Sequence, residues 1–371
     1  MLMVYGLIYL IFVSLPAETA FGGHTVNGKD IHQQSISDST DQDGLRLMIL
    51  PIVFRSPDTG FAFGVLPQLI FRTATASNPS TLRMDAYYTQ NGQYHIQARS
   101  NNWLRNDQIQ LTGKASIKKW PTSFYGIGSS ISSDLQESFT ESLYEAEAGF
   151  KRRFKRNYFV GAGGSVRYAK ISSVEAGGIL AAGSVPGSSD SFISGVDAAL
   201  AYDTRDNLFF PSSGSYHQLN LFGSSKYLGS DYSFLRATAD FRKYLRVFDS
   251  QVLAIQAVGT FSNGLVPFRM MPPVGGDLRG YSSARYINKH AVSLQMEYRI
   301  VPLFWRLGVV FFAGTGDAFS SFSDIDAGRL KHIAGLGIRY VFFQDEKINI
   351  RFDISFGRRS FGDYIDLLEA Y

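Results

Sequence analysis

Lys347-Ile348-Asn349-Ile350-Arg351-Phe352-Asp353-Ile354-Ser355-Phe356 puts an apolar residue at every even position and a polar one at every odd position. A helix cannot use this pattern, because its apolar stripe returns about every 3.6 residues, whereas a strand sends alternate side chains to opposite faces. One face therefore meets an apolar medium and the other meets water. Ser293-Leu294-Gln295-Met296-Glu297-Tyr298-Arg299-Ile300, Leu235-Arg236-Ala237-Thr238-Ala239-Asp240-Phe241-Arg242 and Tyr94-His95-Ile96-Gln97-Ala98-Arg99 repeat it. A soluble β-sandwich also alternates, but its polar face would not carry Arg, Asp and Glu opposite bulky apolar residues in strand after strand. The alternation predicts an all-β protein, a transmembrane antiparallel barrel.

From Phe61 onward such segments run for about ten residues, the length a tilted strand needs to cross a bilayer. Counting them gives about sixteen, an even number that suits a barrel with both termini in the periplasm. Asn91-Gly92, Lys155-Arg156-Asn157, Val247-Phe248-Asp249 and Gln344-Asp345-Glu346 are short links, expected on the periplasmic side, while 172–191, 262–289 and 320–329 are long and expected outside. Tyr87, Tyr88, Trp103, Trp120, Phe124, Tyr340 and Tyr371 at segment ends suit interfacial girdles.

Bulk composition agrees. The 371 residues are 18% charged and 14% aromatic and include no cysteine, which excludes disulfides and thiolate metal sites. No apolar run after the first few dozen residues is long enough for a spanning helix. Val4 to Leu15 is apolar and Ala17 and Ala20 follow, the layout of an export signal over residues 1–20. No Lys or Arg precedes Lys29 and Glu18 interrupts the cleavage pattern, so an uncleaved anchor and a misplaced start stay open. Gly22 to Gly44 is polar and aperiodic, which extends to an expected flexible periplasmic segment over 21–57 and a barrel over 58–371. The net charge of +4 does not imply nucleic acid, because the one dense basic run, Lys151-Arg152-Arg153-Phe154-Lys155-Arg156, ends a strand and has no aromatic-basic repeat around it.

Three motifs resemble the bacterial surface-antigen superfamily, the outer-membrane protein assembly and two-partner-secretion barrels. Leu278-Arg279-Gly280-Tyr281, in the Gly/Pro-rich stretch from Gly264, is similar to that family's sixth-loop motif. Asp203-Thr204-Arg205-Asp206-Asn207-Leu208-Phe209-Phe210-Pro211-Ser212-Ser213-Gly214 resembles its periplasmic turn, in which Arg205 can bridge flanking carboxylates while Pro211 and Gly214 fix the reversal. Phe361 to Tyr371 resembles the final strand, whose last aromatic, here Tyr371, serves as an assembly signal; Glu369 stands where an apolar residue is usual. The resemblance implies a barrel whose sixth loop plugs the lumen, with Arg279 paired to inner-wall carboxylates. Glu297 is the best partner. Gly314 occupies the place of the family's second aspartate, leaving Asp317 and Asp353 to substitute. It also implies preceding POTRA domains, for which the residues before Phe61 offer no room.

Catalytic chemistry is not expected. His24, His32, His95, His217, His290 and His332 lack metal-ligand spacing, Gly280-Tyr281-Ser282-Ser283-Ala284 lacks the second glycine of a nucleophile elbow, and Gly161-Ala162-Gly163-Gly164 is followed by no Lys-Ser or Lys-Thr. No metal or cofactor is implied. The resemblance implies an outer-membrane protein of a Gram-negative bacterium that inserts or translocates proteins or lipids through a seam between first and last strands, expected at 61–72 and 364–371. The alternatives are a structural or partner-binding scaffold and a passive pore. Implied partners are membrane lipid and lipopolysaccharide, unfolded outer-membrane clients, and a periplasmic accessory protein.

Overall fold

The computed structural model describes residues 45–56, 60–73, 75–129, 135–274, 278–282, 284–358 and 360–371. The expected signal, the polar run to Gly44, His24, His32, and the residues Asp58, Thr59, Gly275, Gly276, Asp277 and Ser283 lie outside them. In chain order the strands are β1 (Arg46–Ser56), β2 (Gly60–Phe71), β3 (Ser80–Thr89), β4 (Tyr94–Leu104), β5 (Ile109–Phe124), β6 (Glu137–Lys155), β7 (Tyr158–Ser172) and β8 (Ser191–Asp203). They continue as β9 (Gly214–Ser224), β10 (Phe234–Phe248), β11 (Gln251–Gly264), β12 (His290–Phe304), β13 (Leu307–Phe319), β14 (Lys331–Phe343), β15 (Ile348–Gly357) and β16 (Ser360–Leu367). All sixteen form one sheet in which each strand pairs antiparallel with the next.

The two faces of this sheet reverse the burial of a water-soluble protein. Along β12, Ser293, Gln295, Glu297 and Arg299 are buried while Leu294 and Met296 are 44% and 43% exposed. On β15, Asp353 and Ser355 are buried and Phe356 is 54% exposed. Charges inside and hydrocarbon outside are stable only when the outer medium is itself apolar. Among the described residues no helix is long and apolar enough to cross a membrane.

The first strand corrects the expected boundaries. Arg46–Ser56, placed by sequence in a flexible segment, pairs with β2 over its whole length, from Arg46 opposite Ile70 to Ser56 opposite Gly60. Its stretch Leu47-Met48-Ile49-Leu50-Pro51-Ile52 does not alternate, because both of its faces meet apolar surroundings. Leu47 and Ile49 are exposed, whereas Met48 and Leu50 pack inward with Leu66, Ile70, Phe209, Ile348, Ile350 and Leu367. The expected first seam strand, 61–72, is therefore the second. Asn91-Gly92 is also corrected: strand order puts this link at the same end as the long loops 173–190, 265–289 and 320–330, opposite Lys155-Arg156-Asn157. Its length follows from local turn chemistry, with Gly92 at φ +81°, and not from the end it occupies.

Among the described residues no ladder joins β1 to β16. The two edges meet through side chains instead. Met48 and Leu50 share a cluster with Ile348, Ile350 and Leu367, Arg46 reaches Asp345 at 3.2 Å, Arg72 grips Glu346 at 2.7 and 2.9 Å, and Arg83 of β3 reaches Asp366 of β16 at 2.7 Å.

Candidate functional site: a loop and a tail on the inner wall

The loop 265–289 joins β11 to β12, and its conformation is set by glycine and by contacts to the wall. Gly280 has φ +105°, and a side chain there would meet Ser355 Oγ at 2.6 Å. The close approach lets the Gly280 N–H donate to the Tyr364 hydroxyl of β16 at 2.6 Å, while Ser355 Oγ donates to the Arg279 carbonyl at 2.8 Å and Ser360 Oγ to that of Gly280. Tyr281 donates to the His332 carbonyl at 3.1 Å. The Arg-Gly-Tyr segment is thus fastened to the last three strands.

Arg279 lies 2.6 Å from Glu297 and 2.6 Å from Asp353, with its guanidinium 3.6 Å above the Phe312 ring. Burial opposes its charge, and the two carboxylates outweigh burial, holding the guanidinium above the usual arginine range. Both acids are shared. Glu297 also takes Arg299 at 2.6 Å, and Asp353 takes Arg339 at 2.6 Å and Arg351 at 3.3 Å. Such charge-assisted, directional contacts define one position for the loop.

Asp317, one of the two substitutes for the missing aspartate, does not take part. It is fully buried, its nearest cation is Lys331 at 3.7 Å, and Arg279 is not among its partners. The place of the missing aspartate explains the choice of Asp353. A Cβ on Gly314 would stand 2.9 Å from both Gln295 Cβ and Leu278 Cδ2, so the loop's own leucine fills the space that an aspartate would need.

The turn 204–213 behaves partly as expected. Arg205 grips Asp203 at 3.0 and 2.7 Å and lies 4.5 Å from the Tyr216 ring, but it does not bridge to Asp206. Asp206 instead accepts the Ser212 and Ser213 N–H groups at 2.8 and 3.1 Å and pairs with Arg246 at 3.3 Å. Partial burial would raise its pKa, and the hydrogen bonds from Ser212 and Ser213 hold it below the usual aspartate range. Gly214 has φ +99° with Thr204 O where a Cβ would stand. The turn folds under the barrel: Phe209 joins the β1 cluster, Phe210 joins the cluster that holds Leu278, and the Pro211 carbonyl accepts from Arg299 at 3.5 Å.

The residues after β16 depart furthest from expectation. Tyr371 is not the last outward residue of the final strand. Leu368 turns the chain at φ +69°, and Leu368–Tyr371 enter the interior, where Tyr371 is 5% exposed against Tyr244, Val252 and Ala254. Its carbonyl accepts from Arg299 at 2.9 Å. Glu369, the residue that breaks the apolar pattern, accepts from Arg339 and Asn349, each at 2.8 Å. Loop and tail are therefore linked through Glu297 and Asp353, which Arg279 shares with the two arginines that hold the tail.

A second loop contact has no motif to announce it. Arg269 pairs with Glu141 of β6 at 3.1 and 2.9 Å across 128 positions of sequence. It lies beside a cavity of about 640 Å³ whose lining includes Arg83, Lys114, Glu145, Lys151, Arg236 and Met270. Among the described residues no group of three or more His, Asp or Glu side chains could hold a metal ion.

With this geometry in place, the kinship is direct: the Omp85 superfamily domain matches residues 78–356. The chain belongs to the Omp85 superfamily. No curated protein sequence matches it. Among solved structures it is similar to BamA from Haemophilus ducreyi lacking POTRA domains 1–3, with 12% identity and a TM-score of 0.57, covering 88% of this chain and 70% of that one. CdiB from Acinetobacter baumannii gives 10% and 0.56, covering 87% of this chain and 59% of the other. CdiB from Escherichia coli gives 10% and 0.54, covering 89% and 63%. The Omp85 chain thus spans less than two thirds of either CdiB, and at these identities the likeness is one of fold.

Proposed function

We propose that this Omp85 protein resides in the outer membrane of a Gram-negative bacterium and inserts or translocates protein clients at the seam between β1 and β16, without catalysing covalent chemistry. The observation that carries the reading is that, among the described residues, no ladder joins these strands. An edge in lipid with unused backbone donors and acceptors is costly, and a client strand that pairs with it relieves that cost. Lipid and lipopolysaccharide surround the barrel, and a periplasmic accessory protein would present clients. Inside, Arg279 holds the sixth loop on the strands nearest the seam.

A second reading, a scaffold that passes nothing, draws on the side-chain contacts that already tie the edges, above all Arg83–Asp366 and Arg46–Asp345. A disulfide separates the two. The cysteine-free chain accepts an engineered pair joining a β1 residue to its facing residue in β16, with no native thiol to compete. Client assembly in cells should stop on oxidation and resume with reductant. Full activity in quantitatively cross-linked, folded protein leaves the scaffold.

A further inference from the structure

The first limb of the sixth loop is held by charges that the Arg279 network does not include. Glu141 is fully buried and receives three cations: Arg269 of the loop at 2.9 Å, Lys118 of β5 at 2.8 Å and Arg167 of β7 at 2.8 Å. Arg167 also reaches Glu145 at 3.5 Å, and Glu145 in turn holds Lys114 at 2.6 Å. Neighbours of Arg269 are fixed too. The Phe268 ring meets Phe124 and Phe139 edge-on at 5.1 and 5.7 Å, and its N–H donates to the Pro186 carbonyl at 2.8 Å. Arg236 of β10 donates to the Met270 carbonyl, and Met270 lines the luminal cavity of about 640 Å³ together with Arg167 and Arg236.

We propose that Arg269–Glu141 is a second tether of the loop, acting independently of Arg279, and that it closes the long-loop mouth of the luminal cavity to water-soluble molecules. Arg269 is a positioning residue: by gripping β6 it keeps Phe268 and Met270 across the mouth. The inference requires only that the barrel spans a membrane, and it stands whether or not clients use the seam.

The tether is asymmetric. Removing the Arg269 charge leaves Glu141 with Lys118 and Arg167. Removing the Glu141 charge leaves three cations converging on a buried amide, and their repulsion drives the one on the loop outward. Glu141→Gln should therefore open the mouth more than Arg269→Gln. Arg279→Ala acts on the opposite wall and should leave the mouth shut.

The test uses the full chain in planar lipid bilayers, with the labelling of a Met271→Cys background by a membrane-impermeant maleimide in whole cells as a second readout. Met271 is buried, so its replacement thiol reacts only when the limb lifts. Glu141→Gln should conduct far more often than the wild type and label on the order of tenfold faster, the factor that about 1.4 kcal/mol produces. Arg269→Gln should fall between. Strong salt should narrow the gap between the two variants by screening the three cations. Heat-modifiable gel mobility certifies folding, and Arg269→Gln alone carries the test if Glu141→Gln fails to assemble. Closed, slowly labelled Arg269→Gln protein overturns the proposal, as does an Arg279→Ala barrel that opens equally wide.

Discussion

The two walls of the lumen use the same residue types and treat their charges in opposite ways. On the β12–β15 wall Glu297, Arg299, Arg339 and Asp353 are fully buried, and Arg279 from the loop and Glu369 from the tail complete the pairing. On the β3–β10 wall Glu141 is buried like these, but Arg83, Arg99, Lys114, Glu145, Lys151 and Arg236 line a cavity of about 640 Å³. There Lys151 bonds to Gln218, and Arg236 to a serine hydroxyl and a carbonyl; neither has a carboxylate partner among the described residues. One wall is packed and the other is wet. Buried pairs are strong only while every partner is present, whereas pairs that face water are weak and dispensable. The packed wall therefore makes loop, strands and tail depend on one another, and the wet wall leaves the lumen room.

That contrast is broken most severely at Glu297. It serves Arg279 and Arg299 at 2.6 Å each and lies 3.8 Å from Arg339, so Glu297→Gln leaves three buried guanidinium groups around an amide with only Asp353 and Glu369 to balance them. The expected cost is about 3–5 kcal/mol, seen as a lower temperature for the conversion of the compact gel band. Arg279→Ala should cost less, roughly 1.5–3 kcal/mol, because Glu297 retains Arg299 and Asp353 retains Arg339. Equal band-conversion temperatures for the two variants would mean that the network is not shared.

Much of this architecture was legible in the order of residues, and the failures have physical causes. Alternation marks strands such as β12 and β15 because lipid and a polar lumen impose opposite chemistry on their two faces. It fails at β1, where the inner face is apolar as well. Arg279 and Glu297 were readable because the loop motif resembles that of the family and Glu297 lies on the polar face of the next strand. Asp317 was misjudged because its inward face does not tell which cation it meets. Arg269 and Glu141 are a lone arginine and a lone glutamate far apart in the chain, and nothing in either neighbourhood links them. Glu369 looked like a defect in a terminal strand, although the chain had already left the sheet at Leu367.

Glu369 sharpens the comparison at intermediate cost. Glu369→Gln keeps a side chain able to bond Asn349 but removes the charge that faces Arg339 at 2.8 Å and Arg299 at 3.9 Å. A loss of about 1–3 kcal/mol is expected. Its signature is joint: protease access should rise in the loop 265–289 as well as at the tail, because Arg339 also holds Asp353, the partner of Arg279. Increased access at the tail alone would show that the two segments belong to one charge network without sharing stability.

The smallest effect belongs to the wet wall. Lys114 touches Glu145 at 2.6 Å, as short as any contact in the packed network, and Glu147 at 3.0 Å, yet the side chains of Lys114, Glu145 and Glu147 are 29%, 12% and 44% exposed. Distance alone would rank this pair beside Arg279–Glu297. Exposure ranks it lower, since water and salt reach both partners and already solvate each of them when the other is gone. Lys114→Gln should change stability by about 0–1 kcal/mol, with the difference vanishing in strong salt. The same gel-conversion measurement, run beside Glu297→Gln at low and high salt, decides it. A loss at Lys114 comparable to that at Glu297 would mean that the cavity is drier than its lining suggests, and that both walls hold charge in the same way.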